Sequence, residues 1–361
     1  MKILVIPNRG RSYNAVRPEA ECYIALANLG HNITILTCDT NAYLEEYRKA
    51  GLKIVLLRSL KKYSWAVIKQ VHQYIKEHSI DIVYATESKG IPNAAFGCVG
   101  TNAKMIAYRG TSGGMYKNDP SNYLCMLHPR IDGVIAVSTA VTVNVKNKVR
   151  ASIRTNCETI YKGHDLSWYQ EPATDLTALG SDKSFFNIIC VGSPRYHKGT
   201  HILFQAAKEL NDIKDLRIIL VGDKLTSEEI NKQISDSGMS ERIIRTGFRT
   251  DVPAIAKACD LLILPSLSKE GLTRTVLESL SNGTPVVASA NDGVVETIKN
   301  GVNGYLVPIG DASAIADKIR MLYQDRNELS KLTNNTTNII KHKMSHAKTV
   351  IHMEEYFQQL I

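Results

Sequence analysis

The chain lacks any apolar run approaching about eighteen residues, so no helix is expected to cross a membrane. Its seven cysteines, Cys22, Cys38, Cys98, Cys125, Cys157, Cys190 and Cys259, are scattered and form no CxxC pair. Neither a disulfide framework nor a zinc site is suggested, and a reducing compartment fits best. A GxxxxGK[ST] phosphate loop is absent, and the turn after the first strand-like run, VIPNRGRSYN, is not GxGxxG. P-loop nucleotide hydrolysis and nicotinamide-dependent hydride transfer are disfavoured on those grounds. The first half has no recognisable RNA or DNA module and is read as lacking exposed aromatic residues interleaved with its basic ones, so nucleic acid is not expected as a partner. The N-terminal segment MKILVIPNRGR has an apolar run of only five residues, too short for a signal-peptide core. It reads as a first strand, and the expected location is cytoplasmic.

What is present is more specific. A length of 361 residues allows two domains with separate cores. Residues 1–165 carry 22 Lys and Arg against 12 Asp and Glu, whereas residues 166–361 carry 22 against 23. The whole positive excess lies in the first half, which is therefore expected to meet an anionic partner, a membrane surface at the inner face of the cytoplasmic membrane included. Plain solubility is the alternative for that charge.

Short apolar, β-branched runs alternate with helical stretches along the whole chain. KILVI, NITILT, KIVLL, DIVYAT, KMIAY and GVIAVS make one series, and FFNIICVGS, LRIILVGD, RIIRTGF, LLILPS, PVVAS and GYLVP a second. This is the pattern of parallel βαβ units, and two such series predict two Rossmann-like, doubly wound domains facing a cleft. The expected division is residues 1–165, residues 166–345, and a last helix over 346–361 that returns to brace the first domain. Between Trp65 and Ile75 the residues Trp65, Ile68, Val71 and Ile75 form a helical stripe with lysines largely off it. Packing against the sheet or lying on an anionic membrane both fit that stripe.

Ligands of open parallel sheets bind beyond the carboxyl ends of the strands. Three loops of the second half occupy that edge. VGSPRYHKGTHILF brings Ser193, Arg195 and Lys198 to a helix start, where cations beside free N–H groups suit a phosphate. RTGFRTDVPAI holds Gly247 and Phe248, with Asp251 placed to cap the next helix. PSLSKEGLTRTVLESLSNGTPVVAS has Glu270 on a loop and Glu278 eight residues on, with Gly271 between them for close backbone approach and Leu272, Thr273, Arg274 and Thr275 as an expected first helical turn. Free amides there suit an anion, Glu270 suits a neutral polyhydroxyl group, and Glu278, deeper on the helix, can accept from two hydroxyls, with a solvated residue on a surface helix as its alternative.

EGLTRTVLE resembles the E-x7-E signature of retaining GT-B glycosyltransferases of family 4. VGSPRYHKG is similar to that family's V-G-R-x-x-x-x-K-G loop, IYKGHD to its N-G-[VI]-D hinge segment, and ACDLLILPS to its A-D-x-x-x-x-P-S strand. NDGVVETIKNGVNGYLVPIGD resembles its G-G-x-x-E and N-G-x-L-V-x-x-x-D run. The resemblance implies a GT-B architecture and transfer of a hexose-type sugar from a nucleotide-diphosphate sugar, a UDP-sugar first, to a glycan or lipid-linked acceptor of the cell envelope. It implies that Glu270 holds the donor sugar, Glu278 the ribose, and Lys198 with Arg195 the diphosphate. Ser193, Gly247, Phe248 and the residues Gly271 to Thr275 line the donor site in the same reading. No metal and no cofactor are expected. Ser193 stands where the family has an arginine, and Arg109 where it often has a histidine. Gly10, Arg9, Arg11, Arg109 and Thr111 are the acceptor-side candidates. The alternative reactions on the same fold are nucleotide-sugar epimerisation and sugar phosphorolysis.

Overall fold

Strands in the chain are short, apolar on both faces and joined by helices, and they assemble accordingly into two purely parallel sheets. The computed structural model describes every residue except Arg11, Arg58 and Lys269. It divides into two units, Met1–Gly163 with His346–Ile361, and His164–Ser345. Among the described residues no helix is long and apolar enough to cross a membrane.

The first unit runs β1 (Lys2–Ile6), α1 (Tyr13–Asn28), β2 (Asn32–Thr37), α2 (Leu44–Lys49), β3 (Lys53–Leu56) and α3 (Trp65–His78). It continues with β4 (Ile82–Ala85), α4 (Gly90–Gly97), β5 (Lys104–Arg109), β6 (Gly133–Ala136), α5 (Thr139–Lys146) and β7 (Cys157–Thr159). The strand order is β3-β2-β1-β4-β5-β6-β7. Chain direction along the sheet therefore reverses between β1 and β4, which is where such sheets open a crevice for ligands.

The second unit runs β8 (Phe186–Val191), α6 (Thr200–Glu209), β9 (Leu216–Val221), α7 (Glu228–Asp236), β10 (Ile243–Gly247) and α8 (Val252–Ala258). Then come β11 (Leu261–Leu264), α9 (Arg274–Ser281), β12 (Val286–Ser289), β13 (Gly304–Val307), α10 (Ala312–Gln324), α11 (Arg326–Asn335) and α12 (Asn338–His342). Its order, β10-β9-β8-β11-β12-β13, puts the reversal between β8 and β11. Successive residues of one strand serve opposite layers. Ile188 and Cys190 pack under α6 and α10, whereas Ile189 packs with Ile255 of α8 and Val276 of α9.

The last helix, α13 (His346–Leu360), belongs to the first unit. Its Val350, Met353, Tyr356 and Phe357 join the core built on Ile3, Val5, Ile33 and Tyr84, and Glu354 meets His31 at 2.8 Å.

Helix α3 differs from the expected stripe. Val67, Val71 and Ile75 are its buried residues, and Trp65 is 85% exposed. Ser64 caps the helix by accepting from Val67 N, which places Trp65 at the first helical position and turns its ring away from the sheet.

Candidate functional site

The loops that follow β8 and β11 are neighbours only because those strands pair, and they bring together residues far apart in the chain. Lys198 Nζ donates to Glu270 Oε1 at 2.8 Å across this gap. Ser266 Oγ donates to the same oxygen at 2.7 Å, and Thr273 Oγ1 donates to Oε2 at 3.0 Å. Glu270 is buried. Burial pushes its carboxyl up, but the Lys198 charge and the three donors together hold it below the usual glutamate range, so it is a carboxylate. Among the described residues one lone-pair site on Oε2 remains for a further donor, and the Lys198 ammonium keeps two of its three hydrogens.

Two glycines make this approach possible. Gly199 ends the turn of Tyr196–Lys198 at φ +69°, and a Cβ there would lie 1.9 Å from the Pro265 carbonyl oxygen. A Cβ on Gly293 would fall 1.0 Å from the Gly271 carbonyl oxygen, and Gly293 N donates to Glu270 O at 3.3 Å. The loop after β12 thereby clamps the Glu270 loop from behind, helped by Asn291, whose Nδ2 donates to Ser266 O at 2.6 Å. Ser266, Asn291 and Gly293 were not identified as site residues from the sequence. The signal for Gly293 was present, since it belongs to the NDGVVE segment.

Helix α9 begins at Arg274 with Thr273 as its cap residue, so the first turn lies two residues later than expected from Leu272. The consequence for chemistry is small. Among the described residues the N–H groups of Gly271, Leu272, Thr273, Arg274 and Thr275 donate no hydrogen bond, which leaves a run of five amides open to an anion.

Glu278 lies one turn beyond Arg274, whose Nε stands 3.2 Å from its Oε1. The glutamate is 2% exposed, not a solvated residue on a surface helix. Its burial outweighs the attraction of Arg274, and its pKa is pushed up to about 7. Ser193 is half-buried, Arg195 and Phe248 are exposed, and Gly247 (φ +71°) turns the chain off β10. Arg195 forms no ion pair among the described residues. Asp251 does not cap α8 with its side chain; Arg249 takes both of its oxygens, at 2.8 and 2.6 Å.

The first unit has a parallel arrangement at its own reversal point. Arg9 Nε lies 3.6 Å from Glu87 Oε2, and Arg9 Nη1 reaches Cys38 Sγ at 3.5 Å. Gly10 is half-buried beside Val16, Thr111 is exposed, and Arg11 lies outside the described residues. Arg109 binds its own loop, donating to the carbonyls of Thr111, at 2.8 Å, and Gly113. Those two bonds shape the loop after β5 and, among the described residues, leave three of its five N–H donors.

The model for Glycosyltransferase Family 4 matches residues 20–168, and that for Glycosyl transferases group 1 matches residues 174–339. The lipopolysaccharide core biosynthesis glycosyltransferase LpsE of Rhizobium meliloti is 32% identical over 160 residues, 44% of this chain and 46% of the relative. The UDP-Gal:α-D-GlcNAc-diphosphoundecaprenol α-1,3-galactosyltransferase of Escherichia coli is 28% identical over 187 residues, 51% of this chain and 48% of the relative. The chain thus matches about half the length of these curated relatives. The Anabaena HepE structure in complex with UDP superposes with a TM-score of 0.81 at 22% identity, over 99% of this chain and 100% of that one, and shares the fold.

Proposed function

From a chain that belongs to the family 4 glycosyltransferases of GT-B fold, we propose an enzyme that moves a hexose-type sugar from a UDP-sugar to a lipid-linked or cell-envelope glycan acceptor, with retention at the anomeric carbon. The observation that carries this reading is the Lys198–Glu270 pair standing beside five undonated amides. A diphosphate matches the amides of Gly271 to Thr275 and the two remaining hydrogens of Lys198, with Arg195 on the neighbouring turn. A sugar hydroxyl matches the open site on Glu270, and the ribose hydroxyls match Glu278. LpsE and the diphosphoundecaprenol-dependent relative support the acceptor class.

In the transfer, the bond from the anomeric carbon to the β-phosphate oxygen breaks and a bond to the acceptor oxygen forms on the same face. The acceptor's proton passes to the departing phosphate oxygen. Lys198, Arg195 and the amides stabilise the charge that grows there, so chelators are expected to leave turnover unchanged. A thermal-shift screen over UDP-, GDP-, ADP- and dTDP-sugars is the direct test. Stabilisation by the UDP-sugars of about 2.7 kcal/mol at a hundredfold excess over Kd is expected. Product made only when acceptor is added, with the donor's anomeric configuration, completes the case. No stabilisation by any nucleotide sugar would sink it.

Glu278 supplies a pH signature. Its carboxylate, not its acid form, accepts from two ribose hydroxyls, so UDP affinity is expected to weaken as pH falls through about 7. Below that point the loss approaches about tenfold in Kd per pH unit. Calorimetric titration with UDP across this range checks it, and Glu278→Gln should bind weakly with a flat profile. A flat profile for the unaltered protein would refute the assignment. Stability moves the other way. The unfolded carboxyl ionises near about 4.3 and the folded one near about 7, so the contribution of Glu278 to stability falls as pH rises between them.

A further inference from the structure

The first unit exposes an aromatic and basic surface that the transfer site does not use. No acidic residue lies between Glu46 and Glu77, a stretch with eight Lys and Arg. Within it Lys61, Lys62, Tyr63, Trp65 and Lys69 are all exposed, Trp65 at 85%. The segment is not loose. Asn93 of α4, fully buried, donates to Lys61 O at 2.8 Å and Lys89 O at 2.7 Å and accepts from Ser64 N at 2.8 Å. The chain therefore holds a large indole in water on a fixed scaffold.

A second loop also packs against α4. Phe96 of α4 packs edge-on against His128 at 4.5 Å, and Arg130 Nε donates to Cys98 O at 3.0 Å. The loop so held exposes Tyr123 and Leu124, and the Lys62 charge acts on its Cys125. Both loops follow strands, β3 and β5, and so emerge at the carboxyl edge of the sheet that also presents Arg9 and Arg109.

We propose that Tyr63 and Trp65, flanked by Lys61, Lys62 and Lys69 and joined by Tyr123 and Leu124, form a docking surface for an anionic phospholipid bilayer. The inference rests on the lipid-linked acceptor proposed above. Indole and phenol rings favour the headgroup boundary because one end is apolar and the other polar. Lysines on acid-free backbone add attraction to anionic lipid. A second copy of the chain does not fit, because the same positive surface would face itself. Docking there sets the carboxyl edge of the first unit at the membrane, where a lipid-borne acceptor is held.

The chain has two tryptophans, so Trp168→Phe leaves Trp65 as a lone reporter. In that full-length background, vesicles containing phosphatidylglycerol should shift the emission to the blue and carry the protein upward in flotation at low salt. Pure phosphatidylcholine vesicles, or high salt, should abolish both. Trp65→Ala should weaken partitioning at least about tenfold, and removing Lys61 and Lys62 should cost about fivefold each. The UDP-induced thermal shift reports the second unit and separates failure of the donor reading from failure of this one, and it should persist in every variant. Unchanged Trp65 emission on phosphatidylglycerol vesicles, or flotation of Trp65→Ala equal to its parent, would overturn the proposal. So would an emission shift produced by polyuridylate without flotation, which would mark a nucleic-acid surface.

Discussion

Lys198→Ala is expected to lower kcat by about 10²–10³-fold, corresponding to about 2.7–4 kcal/mol of lost transition-state stabilisation. The magnitude follows from where the ammonium sits. It is two-thirds buried and, among the described residues, held by a single bond to Glu270, which leaves two hydrogens for the leaving diphosphate of the proposed transfer. In the proposed complex the nucleotide sugar carries much of that charge already, matched by the amides of Gly271 to Thr275. Donor affinity should therefore fall less than turnover, by about tenfold or under. Lys198 removal also strips Glu270 of its cation, leaving Ser266 and Thr273 as its donors, and the carboxyl should then take up a proton more readily. Lys198→Ala with Glu270→Gln should be little slower than the single variant, because the two residues act as one unit. Steady-state kinetics at saturating donor, with UDP affinity measured separately, decides the matter. A kcat within about threefold of the unaltered enzyme would remove Lys198 from the transfer step.

The second large effect is on folding. Lys162→Met should destabilise the first unit by about 3–5 kcal/mol, because it leaves a buried carboxylate without its cation. Glu19 on α1 accepts from Lys162 and Thr86, from Tyr23 OH at 2.8 Å and from Asn8 N at 3.1 Å. Burial pushes the Glu19 carboxyl up, yet Lys162 and these donors hold it below the usual range. The ammonium of Lys162 also lies over the Tyr108 ring, 4.1 Å from its centre. The cluster ties the Lys162–Gly163 segment to the start of the β1 loop that presents Arg9. With Glu19→Gln added, the buried charge is gone and most of the loss should return. Urea titration followed by circular dichroism measures both variants. Equal stability of Lys162→Met and the unaltered chain would show that Glu19 finds other compensation.

Several site features were legible in the sequence because they depend on neighbours in the chain. Glu270, the glycine after it and Glu278 lie within one strand–loop–helix unit, so their spacing already implied a helix start with carboxylates on either side. The apolar runs read as parallel strands because strands covered on both faces need no polar alternation. Helix α9 starts later than the spacing implies because Thr273 takes extended dihedrals at the cap, a choice local sequence does not force. Trp65 departs from the apolar stripe because local spacing does not settle which face of the helix is buried. The buried stripe of α3 is Val67, Val71 and Ile75, and Trp65 lies about 200° round the helix from Val67, on the water side.

By itself, then, the sequence determined the two parallel α/β units, the order of the loops that carry Lys198, Glu270 and Glu278 and the concentration of positive charge in the first half. Those follow from composition, periodicity and short-range spacing. Tertiary structure alone decided that Lys198 meets Glu270 across 72 residues, that Arg9 meets Glu87, and that Gly293 backs the Glu270 loop. Strand order is the physical reason. β8 pairs with β11 and β1 with β4, and nothing in the length of the intervening chain states which strand ends will be neighbours.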